Sequence, residues 1–329
     1  MPGYISHYMF AKDCLDKLSD DNLKNILSKN INIYLLGSCG PNFFEYSNKF
    51  SSIFSKNLSN ISTLIHSNNI NLFFEEMINY SAGNAYMKHI FSDYKFEDIT
   101  IPYFCGFLSH YILDRSFHPY IIYLQSNFKN KYKLKTCISL HKSIETNIDT
   151  LLLKECKNTI PKNYIKNISF DISNKEMLVI CDMYNFLLKS VFNKDISYND
   201  INKSIYSLKK TQLKLTYSNS IRSRLYLFNK NLFCKTCYIE NKTYDNFTYH
   251  SHDLLNKKYL PWLDPFSKEQ YTNSLLDIYS NSINTYHDII DIFSQYIYDN
   301  KNIMDILNKI GNKSYITNQN FSKNIKNNL

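Results

Sequence analysis

One stretch constrains the fold of this chain more than any other: Gly106-Phe107-Leu108-Ser109-His110-Tyr111-Ile112-Leu113-Asp114-Arg115-Ser116-Phe117-His118-Pro119. His110, Asp114 and His118 recur at i, i+4 and i+8. On an α-helix that spacing forms one stripe, with about 6 Å of rise between neighbours. The flanking residues are apolar and aromatic, so the stripe faces a protein interior. Pro119 disfavours helical geometry in the residue before it, which predicts that the helix ends near His118.

A second stripe follows in His141-Lys142-Ser143-Ile144-Glu145-Thr146-Asn147-Ile148-Asp149, where His141, Glu145 and Asp149 share a face. Each stripe mixes imidazole with carboxylate, the donor set that zinc favours. Two facing helices with such stripes build a metal cluster inside a bundle. The alternative is a pair of buried hydrogen-bonded networks, costly unless every group is satisfied.

The rest of the chain agrees with a helical bundle. Six glycines and seven prolines in 329 residues are too few for a sandwich or barrel rich in tight turns. A hydrophobic content of 44% excludes a disordered chain. Apolar periodicity predicts helices over roughly 5–17, 21–28, 51–65, 70–80, 99–118, 134–156, 174–192, 198–217, 219–231, 268–296 and 302–310. Asp20-Asp21 and Ser197 with Asp200 read as N-terminal caps. Gly37-Ser38-Cys39-Gly40-Pro41-Asn42 is the strongest loop signal. Aromatic-rich pieces between Leu232 and Pro265 suit short paired strands. The expected organisation is one helical domain over 1–310, with a ligand-bearing half (1–155) and a helical C-terminal half (156–310). A mobile basic tail is expected over 311–329.

The N-terminus lacks the features of a secretory leader, and no run of about 18 apolar residues occurs. The eight cysteines are scattered, and only Cys234 and Cys237 stand in C-x-x-C spacing, a weak signal without a partner pair. A cytoplasmic, reduced protein is expected. The formal charge of +9 suits anionic lipid, nucleic acid or neither. His89, His250, His252 and His287 fit no site motif; His287 reads as a surface or capping residue.

The ordered set of motifs resembles the bacterial zinc-dependent phospholipase C family, in its cytosolic branch. Met1-Pro2-Gly3-Tyr4-Ile5-Ser6-His7-Tyr8 is similar to that family's N-terminal His motif. Leu36-Gly37-Ser38-Cys39-Gly40-Pro41-Asn42-Phe43-Phe44 is similar to the loop carrying a metal-binding Asp, and Ile65-His66-Ser67-Asn68 to the next His motif. The two stripes complete the set, and Pro261-Trp262-Leu263-Asp264-Pro265 resembles a later region. The resemblance is good over about 1–155 and faint beyond. It implies an all-α, multi-helix bundle of the kind shared with single-strand-specific zinc nucleases.

It also implies two or three zinc ions. Asn42, His66, His110 and Asp114 would hold one. His118, His141 and Glu145 would hold a second, with an open position for water or substrate. His7, a bridging Asp114 and the N-terminal backbone would hold a third, with Pro2 as the terminal amine once Met1 is removed. The implied activity is metal-assisted hydrolysis of a phospholipid or another phosphodiester, with Asn42 and Glu145 as the positions closest to the chemistry. Phe43 and Tyr46 are candidates for lining a head-group pocket, through the attraction of aromatic faces for quaternary ammonium; simple core packing is the alternative. Arg115 either contacts phosphate or anchors its helix.

Asn42 departs from the family pattern, which has Asp there. The amide is a neutral, weaker ligand, and it leaves Asp114 and Glu145 as the ligand carboxylates against +4 from two zincs. Loss of a general base costs ~10²–10⁴ in rate. Glu45 and Asp149 are candidate compensating carboxylates. Two rival readings follow: a non-catalytic helical protein that keeps the zinc core, and a nuclease-like phosphodiesterase. Nucleic acid is the less favoured partner, because the motifs follow the lipase-like branch. Peripheral contact of the basic tail with an anionic membrane is the remaining expectation.

Overall fold

The structure is a computed structural model, and it describes residues 3–47, 58–83, 96–132, 137–165, 171–215, 253–299 and 301–320. Helix α6 (Glu97–Tyr132) lies at the centre of an otherwise helical assembly. Before it come α1 (Tyr4–Asp16), α2 (Asp21–Lys29), α3 (Ile31–Gly37), a 3-10 helix (Gly40–Tyr46), α4 (Ser59–Ser67) and α5 (Ile70–Gly83). After it come α7 (Cys137–Lys157), α8 (Pro161–Ile165), α9 (Asn174–Phe192), α10 (Tyr198–Leu215), α11 (Leu275–Asp299) and α12 (Ile303–Ile310). The only strands among the described residues are β1 (Trp262–Leu263) and β2 (Gln270–Tyr271), paired antiparallel. The chain is all-α, as its periodicity predicts. No described helix is long and apolar enough to cross a membrane.

Helix α6 runs 36 residues and passes through both Pro102 and Pro119. The expected stop at His118 is therefore corrected. An interior proline removes one backbone hydrogen bond and costs roughly 3 kcal/mol. Between Ile101 and Ile121 nearly every residue of α6 is buried, on all faces. Burial of one large apolar side chain contributes about 1.5–3 kcal/mol, so several together outweigh the break. Tertiary packing overrides the local preference here.

Helix α3 crosses α6 at backbone contact. A Cβ on Gly106 would fall on the Tyr34 carbonyl oxygen and lie 3.0 Å from Gly37 Cα. Only glycine permits this approach, and it brings the end of α3 directly over the His110 turn.

Caps fix other helices. The Asp20 side chain accepts from the Asn22 and Leu23 amides at the start of α2. Ser197 accepts from the Asp200 amide before α10. Ser173 and Glu176 form a reciprocal capping box on α9. His287 on α11 donates through Nε2 to the Cys14 carbonyl, 2.9 Å away, near the end of α1; it is the capping residue its sequence suggests. The helix expected from 268 begins instead at Leu275, because 262–271 forms the small hairpin. Trp262 packs there against Tyr120 and Tyr123 of α6. The start of the expected 51–65 helix and all of the expected 219–231 helix lie outside the described residues, as do Cys234, Cys237, His89, His250 and His252.

The segment 311–320, expected as the start of a mobile tail, is instead folded against the bundle. Tyr315 is 1% exposed, and Ser314 and Thr317 are buried. Burial of the Tyr315 ring and hydrogen bonds from α5 and α6 to residues 310–313 hold the segment there.

Candidate metal centre

Helix α6 supplies three donors along one face: His110, Asp114 and His118, all buried. Two groups of donors form around it. His7 from α1 joins His110 and Asp114, while His141 and Glu145 from α7 join His118. Within each group the donor atoms lie within 4.8 Å of one another.

In the first group, His7 Nε2 lies 3.1 Å from Asp114 Oδ1 and His110 Nε2 lies 3.4 Å from Asp114 Oδ2. His66 of α4 joins this group, with its Nε2 3.3 Å from His110 Nε2 and 3.7 Å from Asp114 Oδ2. The His7 and His110 rings stack at 4.3 Å. The approach of His7 to Asp114 has ion-pair distance without hydrogen-bond alignment. Both His7 nitrogens, both Asp114 oxygens and Asn42 Oδ1 are buried without a hydrogen-bond partner among the described residues. Leaving such groups unsatisfied costs about 1–3 kcal/mol each, more for a charged carboxylate. A divalent cation held by one His7 nitrogen, His110 and Asp114 removes that cost for the atoms that bind it, so the donor set fits zinc.

The protonation states fit as well. Burial lowers the His7 pKa to about 3 and that of His66 to about 4, and it holds His110 and His118 well below the usual imidazole value. These imidazoles stay neutral at physiological pH, the form that ligates a metal. Burial also raises the Asp114 pKa, with His110 opposing that shift.

Backbone carbonyls orient two of the rings. His110 Nδ1 donates to the Ser38 carbonyl at 3.2 Å. His118 Nδ1 donates to the carbonyls of Asp114 and Tyr315, both at 3.0 Å. A carbonyl only accepts, so Nδ1 carries the proton in each ring and Nε2 presents its lone pair to the cluster. In the second group, His141 Nε2 meets Glu145 Oε1 at 2.8 Å, and His141 Nδ1 meets Gln125 Oε1 at 2.8 Å. The His118 and His141 rings stack at 5.7 Å. The His141 side chain is 22% exposed against 8% for Glu145, so this group is the one that reaches solvent.

Asn42 sits on the 3-10 helix that follows the Gly37–Asn42 loop signal. Gly40 enters that helix at φ +56°, and a Cβ there would fall on the His110 ring. The loop and the His110 turn are thus built against each other.

Other expected site residues have different roles. Asp149 extends the second stripe by sequence, yet it accepts from the Ile5 and Ser6 amides at 3.2 and 3.1 Å and from Ser6 Oγ at 2.5 Å. It caps α1 and belongs to neither donor group. Arg115 is buried, and its Nη1 donates to the Ile310 carbonyl at 2.7 Å and to Tyr111 Oη at 3.2 Å. It anchors the end of α12. Phe43 is fully buried against Phe44 and Tyr184, and Tyr46 is 4% exposed. These two aromatics are core residues, because the 3-10 helix turns them inward. Met1 and Pro2 lie outside the described residues.

Sequence reading missed three contributors: the Ser38 carbonyl, Gln125 and Tyr315. Gln125 lies seven residues after His118, two turns along the same helix face, which was a usable signal. Tyr315 had none, being nearly 200 residues from His118 along the chain.

Residues 6–194 match the profile of the family described as zinc dependent phospholipase C. No curated protein and no solved structure matches the chain.

Proposed function

The chain belongs to the zinc-dependent phospholipase C family, and from that premise we propose that it is a zinc-dependent phosphodiester hydrolase acting on phospholipid. The observation that carries the proposal is the convergence of His7, His66 and His110 on Asp114, whose buried oxygens have no hydrogen-bond partner among the described residues, with the imidazoles kept neutral by burial.

His7, His66, His110, Asp114 and Asn42 would hold zinc in the inner group, and His118, His141 and Glu145 in the outer one. Zinc bound there would act as a Lewis acid, activating water and neutralising charge on a phosphoryl oxygen. The protein's own contribution is orientation. Nδ1 protons on His110 and His118, fixed by carbonyls, keep Nε2 turned inward. Asp114 stands between His7 and His110 and offers one oxygen to each side. His141 and Glu145 form the solvent-facing edge, where a phosphodiester head group would enter. Glu145 is the carboxylate at that edge, where it would accept a hydrogen bond from an incoming water.

Asn42 favours a second reading. It is neutral and cannot take a proton, so the chain would keep zinc for stability or binding and turn over slowly or not at all. Metal analysis of the purified protein, followed by assays on phosphatidylcholine vesicles, a generic phosphodiester and single-stranded DNA, tests the proposal. Zinc with phosphatidylcholine hydrolysis supports it, and zinc without turnover on any substrate supports the second reading. Turnover confined to DNA would point to the nuclease-like alternative. Absence of bound zinc, with stability unaffected by His118→Ala, would remove the metal assignment itself.

A further inference from the structure

The C-terminal segment Gly311 to Asn320 lies beyond the residues that match the family, yet it reaches the donor groups directly. Its start is held by buried groups on α6. Arg115 grips the Ile310 carbonyl, and Tyr111 Oη donates to the Lys313 carbonyl at 2.9 Å. Asn312 Oδ1 accepts from the Asn71 amide at 3.3 Å, tying the segment to α5. The segment then closes on itself, with the Ser314 amide donating to the Gln319 carbonyl at 2.9 Å and a bridge between Lys313 and Asn320.

This construction delivers Tyr315. Its ring stands edge-on to His66, with centroids 4.6 Å apart at 79°, and against Tyr111 at 4.7 Å. Its carbonyl accepts from His118 Nδ1. One residue therefore touches a histidine of the inner group with its ring and a histidine of the outer group with its backbone. The Tyr111 and Arg115 side chains that hold the segment flank Asp114 on α6, so the anchor and the donors share one rigid helix.

We propose that residues 311–320 are a strap that completes the metal centre, with Tyr315 positioning His66 and His118. The proposal rests on reading the two donor groups as zinc sites. The strap excludes water from the His66 side and locks the His118 ring. Groups that orient metal ligands in this way commonly contribute 10–100-fold in metal affinity.

The test uses the full chain with Tyr315→Phe and Tyr315→Ala. Zinc number and affinity are measured by competition with a chromophoric chelator, and the visible spectrum of the cobalt-substituted protein is recorded. Tyr315→Phe keeps the ring that seats the strap and is expected to match wild type within about twofold. Tyr315→Ala keeps the carbonyl but removes the ring that seats the strap against His66 and Tyr111, so the carbonyl loses its fixed position. It is expected to lose about 10–100-fold in affinity for at least one ion and to shift the cobalt bands. A Tyr315→Ala protein that melts earlier without metal, yet keeps wild-type zinc affinity and cobalt bands, would overturn the proposal and leave the strap a packing element. If the alanine variant does not fold, Tyr315→Leu decides by the same two readouts, unchanged values again overturning the idea. Because the readout is metal binding, a wild type that binds zinc without hydrolysing lipid leaves the test intact. A wild type that binds no zinc overturns the metal reading, and the strap proposal with it.

Discussion

The His110 imidazole fills the space that a side chain on Gly40 would need, and Gly40 itself sits in the left-handed region at φ +56°. Gly40→Ala therefore meets two penalties. A non-glycine residue in that conformation costs roughly 1–2 kcal/mol, and the ring must also move away. The variant is expected to melt earlier and to retain less zinc than wild type, measured by thermal unfolding and metal analysis. Full zinc content at an unchanged melting temperature would show that the loop adapts.

Asp149 ties α7 to the first turn of α1, the helix that carries His7. Its carboxylate takes two amides and a hydroxyl that would otherwise be buried without partners. Asp149→Ala is expected to lower unfolding stability by about 2 kcal/mol, the upper range for loss of a helix cap. Zinc affinity should fall as well, since α1 loses its anchor. Urea unfolding of the metal-free protein separates these effects. Asp149→Ala with unaltered zinc affinity would mean that His7 is held by packing alone.

Asn42→Asp puts a carboxylate on the 3-10 helix whose start packs against His110. Tighter zinc binding is the expected result, and activity on phosphatidylcholine should rise by ~10²–10⁴ where proton transfer limits the rate. Comparing zinc occupancy and turnover of the two proteins checks both. An Asp variant that gains zinc affinity but no rate would assign position 42 to binding alone.

Removal of metal should expose the cost of the buried donors. Treatment with a chelator is expected to lower the melting temperature, and added zinc to restore it. The gain grows with the logarithm of free zinc, about 2.7 kcal/mol at a hundredfold excess over Kd. His118→Ala should blunt this response without destabilising the chelated protein to the same degree. A melting curve indifferent to both chelator and zinc would argue that the donors are satisfied some other way.

Most helices were legible because their apolar periodicity and caps are local. Asp20, Ser197 and the 174–192 helix needed nothing beyond neighbouring residues. The misreadings arose where distant packing decides. Helix α6 continues through Pro119 because its surroundings bury it on every side. Asp149 shares a helix face with His141 and Glu145, but i to i+8 spans about 12 Å of rise. That distance carries it past the cluster to the end of α1. Phe43 and Tyr46 look alike as pocket or core until the 3-10 helix turns them inward. The two stripes were local signals, each written within a dozen residues, whereas His7, Asn42 and His66 came only from the family resemblance. Two of the three orienting partners had no local signal, because Ser38 and Tyr315 act through the main chain.

That last point bears on how this centre would tolerate change. The acceptor that sets His110 is the peptide carbonyl of Ser38, not a side chain. Position 38 is fully buried, and any residue small enough to fit there, such as alanine, brings the same oxygen to the same place. An insertion or deletion between Gly37 and Gly40 would shift the carbonyl out of register and release the ring. Part of the centre is thus encoded in the length of a loop, and it is vulnerable to changes in reading length where a small residue at position 38 would leave the oxygen in place.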